Sequence, residues 1–251
     1  TVTVNGRDYR DLPAPLTAVG ALLDAKAVHP GRSAYQHLLA VAATHGIPKS
    51  RVHEVIELTG LGAVAQKRVK GFSLGMGQRL GIDTALLGDP PVLIFDEPVN
   101  GLDPEGVRWV RTFSRHLASE GRTVFLSSHL MSEVALTADR VIVIGRGRIL
   151  ADAPVDELVA GAGASAVRVR TTRASELAEL LSRTGATVAS DQPGVLVITG
   201  LGIEQIAQQA AASGIVLLEL TPVTTSLEDA YMAITDGAVE YRTTTPAEVA
   251  R

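Results

Sequence analysis

Val92 to Pro104 reads VLIFDEPVNGLDP: four apolar residues, two adjacent carboxylates at Asp96 and Glu97, a proline, and a Gly-Leu-Asp turn carrying Asp103. A strand that is apolar throughout is covered on both faces, as in a parallel sheet. Acids at its end then lie on the carboxyl edge, where open α/β folds bind ligands. One such acid can hold a divalent cation while its neighbour orients or deprotonates a water. Taken alone, the pattern fits equally well two acids that cap a turn.

The flanking sequence alternates in the same way. Downstream, PEGVRWVRTFSRHLASEG has helical periodicity, TVFLSS is a strand, LMSEVALTA a short helix, and RVIVIGRGRILA a hairpin turning at Gly145 to Gly147. Upstream, SAYQHLLAVAATHG, PKSRVHEVIELTGL and QRLGIDTALLGD predict three helices, and TVTVNG and AVGALLD predict short strands. Apolar strands between amphipathic helices imply a mostly parallel sheet in an α/β fold. Gly161 to Ser165 reads as a linker. Beyond it a smaller α/β unit is expected, with strands AVRVR, GVLVITG and IVLLEL separated by two helices. A last helix, SLEDAYMAIT, starts at a capping pattern of Thr225 and Glu228. The residues from Asp236 onward read as a frayed tail.

The bulk numbers narrow the function classes. The 251 residues are 46% hydrophobic and 20% charged with a net charge of -4, which disfavours nucleic acid or an anionic membrane as the main partner. There is no cysteine, so disulfides and thiolate metal sites are excluded. No apolar run approaches the ~18 residues of a membrane span.

Two further stretches belong with the acids. FSLGMGQRL puts Ser73 and Gly75 at a helix N-terminus, where exposed N–H groups and the helix dipole favour phosphate. FLSSHL ends a strand with His129. With NGLDP, these motifs stand in an order and spacing that strongly resemble the ATP-binding subunits of ABC transporters, over about residues 1–153. VLIFDEP is similar to their Walker B strand, FSLGMGQR to the signature motif usually written LSGGQ, NGLDP to the D-loop, and SSH to the switch-histidine loop. The C-terminal unit followed by SLEDAYMAIT resembles the accessory domain of the bacterial drug and antibiotic exporter branch.

The resemblance implies an ABC-type P-loop NTPase fold: a mostly parallel sheet with a helical subdomain at about 31–88 within a domain at 1–160. A small α/β accessory domain at 161–236 and a tail at 237–251 would follow. It implies ATP and Mg²⁺ as cofactors, with Asp96 on the metal, Glu97 as general base and His129 at the γ-phosphate. Ser73 and Gly75 would bind the nucleotide of a second, head-to-tail ATPase subunit, and Asp103 would communicate across that interface. Asp24 stands where the family usually carries a Gln that touches Mg²⁺. A transmembrane permease would receive the helical block at 31–70, at the cytoplasmic face of the membrane. Gln78 and Arg79 are read as helix surface.

Some features depart from the family. The motif G-x-x-x-x-G-K-[ST] is absent, and Gly-Lys never occurs. The expectation is N-terminal truncation, with on the order of 60 residues of a βαβ unit upstream of Thr1; a degenerate ATPase is the alternative. Leu74 and Met76 replace the first Gly and the Gln of the signature, and Leu74 could crowd a phosphate. Two other functions stay open: a non-catalytic half-site module, and a soluble ABC ATPase outside transport. His29, His37, His45 and His53 recur every eight residues but are read as solvated, as are Arg146, Arg148, Arg168 and Arg170; Trp109 is read as packing.

Overall fold

The computed structural model describes residues 2–25, 27–161, 166–223 and 225–235, without the side chain of Asp191. Of the expected linker at 161–165, Gly161 ends a helix, and residues 162–165 lie outside the described residues, as does the tail at 237–251. The chain divides into two compact units, Thr1–Thr137 and Ala138–Arg251. Among the described residues no helix is long and apolar enough to cross a membrane.

In the first unit, α1 (Pro15–Ala18) leads into β1 (Val19–Leu22). Then come α2 (Ala34–Thr44), α3 (Lys49–Thr59), α4 (Leu74–Leu86), β2 (Val92–Phe95), α5 (Pro104–Ser119), β3 (Thr123–Leu126) and α6 (Met131–Thr137). The sheet is parallel in the order β1-β2-β3, with Leu22, Phe95 and Leu126 in register. The expected strand TVTVNG does not form. Val4 and Arg7 close a tight turn through Asn5 and Gly6, both in the left-handed region, and Val2 is exposed.

The helices start where their caps dictate. Ser33 and Gln36 form a reciprocal capping box on α2. Gly60, at φ 75°, ends α3 in the left-handed conformation that glycine adopts without strain. Phe95, Leu93, Leu80, Leu86, Leu38 and Leu117 are fully buried between the sheet and helices α2 to α5. Helix α4 lies hard against β1, because Gly20 leaves room for the Ala85 carbonyl and Gly81 for the Leu22 side chain.

Gln78 and Arg79 are not helix surface. Gln78 is buried, while the Arg79 guanidinium donates to the Thr59 carbonyl at 2.7 Å and sits 4.1 Å from the Trp109 ring centre. Trp109 also stacks on Phe113 at 5.0 Å, as its packing role required. Nor is His37 solvated. It is half-buried with Nε2 3.3 Å from Thr84 Oγ1, and burial lowers its pKa, helped by the charge of Arg32.

In the second unit, β4 (Arg140–Gly145) and β5 (Arg148–Pro154) form the expected hairpin, turning through Arg146 and Gly147, both at positive φ. Helix α7 (Val155–Gly161) follows. Then come β6 (Ala166–Thr171), α8 (Ala174–Ser182), β7 (Thr187–Gln192), β8 (Val195–Thr199), α9 (Ile203–Ala212), β9 (Leu217–Val223) and α10 (Leu227–Thr235). The β6–β9 strands make an antiparallel sheet in the order β7-β8-β6-β9, whose Val167, Val169, Leu196 and Ile198 pack on Leu177, Leu181 and Ile206. Strand β7 was not expected from its sequence. Arg168 and Arg170 are not simply solvated: both lie near Glu219, at 3.6 and 3.5 Å. The cap of α10 is one residue later than expected, with Ser226 Oγ accepting from the Asp229 N–H and Asp229 Oδ2 accepting from the Ser226 N–H.

One buried group has a measurable consequence. Asp83 on α4 is fully buried with neither carboxyl oxygen in a hydrogen bond. Desolvation pushes its pKa up to about 8, against the weaker pull of Thr59 and Arg79. The Thr59 hydroxyl is turned to the carbonyls of Val55 and Ile56. Folded Asp83 therefore keeps its proton up to about pH 8, whereas in the unfolded chain it ionises near 3.8. Stability from this group is full below the unfolded value, falls as pH rises between the two, and levels above the folded one. Its slope in that window is at most about 1.4 kcal/mol per pH unit. Urea unfolding from pH 4 to 9 should show this decline, and Asp83→Asn should flatten it.

Candidate functional site

The carboxyl edge of the parallel sheet is extended by one residue on β2 and on β3. Asp96 N–H donates to the Leu22 carbonyl at 2.8 Å, and Ser127 N–H to the Phe95 carbonyl at 2.9 Å. Asp96 and Ser127 thus continue the β2–β3 register beyond Phe95 and Leu126. After Asp96 the chain turns sharply, with Glu97 at φ 46° in the left-handed region. Such a conformation costs a non-glycine residue roughly 1–2 kcal/mol. Here it breaks the two-residue alternation of the strand and sends the Glu97 side chain toward β3, where Oε2 accepts from His129 Nδ1 at 2.9 Å. Glu97 is half-buried; His129 and Asp96 are exposed.

Ser127 joins the two acids. Its hydroxyl donates to Asp96 Oδ1 at 2.5 Å, and its oxygen accepts from the Glu97 N–H at 2.8 Å. Nothing singled Ser127 out in the sequence beyond its place in SSH. Its signal was the register: aligning VLIF with TVFL sets Asp96 opposite Ser127.

The remaining predicted residues form two further groups. Ser73 caps α4, accepting from the Met76 N–H at 3.2 Å. Asp103 caps α5, accepting from the Gly106 N–H at 2.8 Å, with Pro104 in the first turn. Leu74 links these two helix starts. A Cβ on Gly101 would lie 2.7 Å from Leu74 Cδ2, and one on Gly75 would meet Leu102 Cδ2 at 3.7 Å. The expected crowding by Leu74 is thus directed at the Gly101 loop. Asp24 is exposed just beyond β1, and its carbonyl accepts from the Ala27 N–H at 3.2 Å.

Among the described residues, no cluster of three or more His, Asp or Glu side chains could hold a metal alone. An exposed carboxylate with one oxygen already hydrogen-bonded suits a cation that keeps its water and shares other ligands with phosphates, as Mg²⁺ does. Two acids and a histidine at the carboxyl edge of a parallel sheet, in a unit whose helices start at Ser and Asp caps, put polar groups where open α/β domains bind ligands.

Comparison with known proteins narrows the class. A family profile described as ABC transporter matches residues 1–100, and a second, Domain of unknown function (DUF8746), matches residues 165–228. The uncharacterized ABC transporter ATP-binding protein YdbJ of Bacillus subtilis is 32% identical over 243 residues, covering 96% of this chain and 79% of that protein. The lantibiotic transport ATP-binding protein SrtF of Streptococcus pyogenes is 36% identical over 158 residues, covering 62% of this chain and 67% of SrtF. Other curated relatives are matched over only 34% to 52% of their own length. A solved ATP-binding subunit of an ABC transporter shares the fold with a TM-score of 0.54 at 22% identity, over 61% of this chain and 66% of that one. The chain belongs to the ABC transporter ATP-binding proteins.

The contact of Leu74 with the Gly101 loop can be checked by substitution. A Cβ on Gly101, at φ 69°, would displace the end of the Leu74 side chain. Gly101→Ala should cost about 1–2 kcal/mol for the left-handed backbone, plus the displacement of Leu74, in urea unfolding. In a Leu74→Ala background it should cost less, leaving the backbone strain alone, and a double-mutant cycle would read the difference.

Proposed function

We propose that this chain is the ATP-binding and ATP-hydrolysing part of an ABC exporter, acting on an antibiotic-like compound. The observation that carries the reading is the His129–Glu97 contact beside Asp96 at the carboxyl edge of the sheet. Asp96 would hold a Mg²⁺ ion, which when bound supplies charge that offsets the phosphates. Glu97 would orient and deprotonate the attacking water, with His129 holding its carboxylate until the γ-phosphate draws the imidazole away. Ser73 and Gly75, at the start of α4, would offer backbone N–H groups to the nucleotide of a second, head-to-tail subunit. Asp103 and Asp24 would complete that interface and the cation's surroundings.

The membrane partner in this reading is a permease that docks on the helical block at 31–70, which places the chain at the inner face of the membrane. Antibiotic-type export rests on likeness to a lantibiotic transport protein. The domain limits of 160 and 161 belong to the same reading. A second reading is a half-site module that completes another subunit's site. ATP titration separates the two, since submillimolar affinity for this chain would contradict the module.

In the intact protein, Glu97→Gln should lower ATP turnover by roughly 10²- to 10⁴-fold, or ~3–5 kcal/mol of barrier, while nucleotide-driven dimerisation survives. Turnover near the wild-type rate would remove Glu97 from the role of base.

A further inference from the structure

We propose that Ser127 is a positioning residue that sets the geometry of both acids through one hydroxyl. The inference rests on the assignment of Asp96 to the cation and Glu97 to the water. A serine hydroxyl has one proton to donate, and here it goes to Asp96 Oδ1 at 2.5 Å. That bond commits one carboxylate oxygen and leaves Oδ2 to face a ligand. The same oxygen accepts the Glu97 N–H at 2.8 Å, which anchors the peptide just where the backbone enters the left-handed region.

Three features make this a built arrangement. Ser127 is held by the sheet, its N–H donating to the Phe95 carbonyl at 2.9 Å, so the hydroxyl's origin is fixed by the β2–β3 register. The Glu97 carbonyl accepts from the Asn100 N–H at 3.1 Å, so the strained peptide is tethered on both sides. The Glu97 carboxylate then reaches His129, which stands two residues beyond Ser127 on the same segment. One hydroxyl thus holds the Asp96 carboxylate directly and the Glu97 backbone through its N–H, from which the Glu97 side chain starts. Removing it would free Asp96 to turn both oxygens to solvent and would loosen the turn that presents Glu97.

A methyl in place of the hydroxyl tests this without changing shape. Ser127→Thr and Ser127→Val differ only in that group, so a cost from the extra methyl is common to both. The Asp96 carboxyl ¹³C signal would be compared at one pH in the full chain, and the Glu97 amide followed in ¹⁵N spectra with its hydrogen exchange. Loss of the hydroxyl removes both the bond to Asp96 Oδ1 and the acceptor of the Glu97 N–H. The Val variant should therefore show a displaced Asp96 carboxyl signal, a shifted Glu97 amide and at least tenfold faster exchange at that amide. The Thr variant should match wild type. Equal Asp96 carboxyl signals and equal Glu97 exchange in the Thr and Val variants would overturn the proposal. ATP turnover of the same samples is a separate readout. If wild type hydrolyses no ATP, the hydrolytic reading fails while the spectra still decide the role of Ser127. If it does, the Val variant should lose kcat and keep KM.

Discussion

The first unit depends on the close approach of α4 to β1. Helix and strand can meet at this distance only because Gly20 presents no side chain to the Ala85 carbonyl and Gly81 none to Leu22. Gly88 makes the same concession to the backbone at Leu16. A side chain at Gly20 would push the helix off the strand and open the layer filled by Leu80, Leu86 and Phe95; one at Gly81 would displace Leu22, and one at Gly88 would collide with the backbone of α1. The helix that begins at Ser73 is thereby fixed to the strand that ends just before Asp24, and β2, with its acids, pairs beside that strand.

The acid edge follows a related logic in polar terms. Each side chain there is oriented by a group that the sheet already holds: Asp96 by Ser127, Ser127 by the Phe95 carbonyl, Glu97 by the turn at its own φ of 46° and by His129. Such an arrangement costs backbone strain once, on folding, and holds the side chains in place thereafter. Asp96 and His129 remain exposed, so the preorganised atoms are those that face outward.

Much of this was legible in the sequence. VLIF, TVFL and the three helices between Ser33 and Asp89 follow from periodicity and capping residues, and the acids were visible at the strand end. Features set by pairing or burial were not. Ser127 gains its partners only when two strands lie in register, and β7 is an edge strand whose TVASDQ lacks an apolar alternation. Gln78 and Arg79 look like solvent-facing polar residues, yet Gln78 is buried and Arg79 is held between α3 and α5. TVTVNG alternates like a strand, but Asn5 and Gly6 turn the chain before it can join the sheet. Asp83 was unremarked because an acid in a helix is ordinarily solvated.

Trp109 is the single tryptophan of the chain, lying flat on Phe113 under the Arg79 guanidinium. Arg79 is in turn tied to the carbonyl that closes α3. The indole therefore sits at the seam where α3, α4 and α5 meet, against a cation whose distance sets the local field. The protein carries a native optical probe at that seam. Motion of α3 relative to α5 would be written into its emission, with no label added and no second fluorophore of its kind to obscure it.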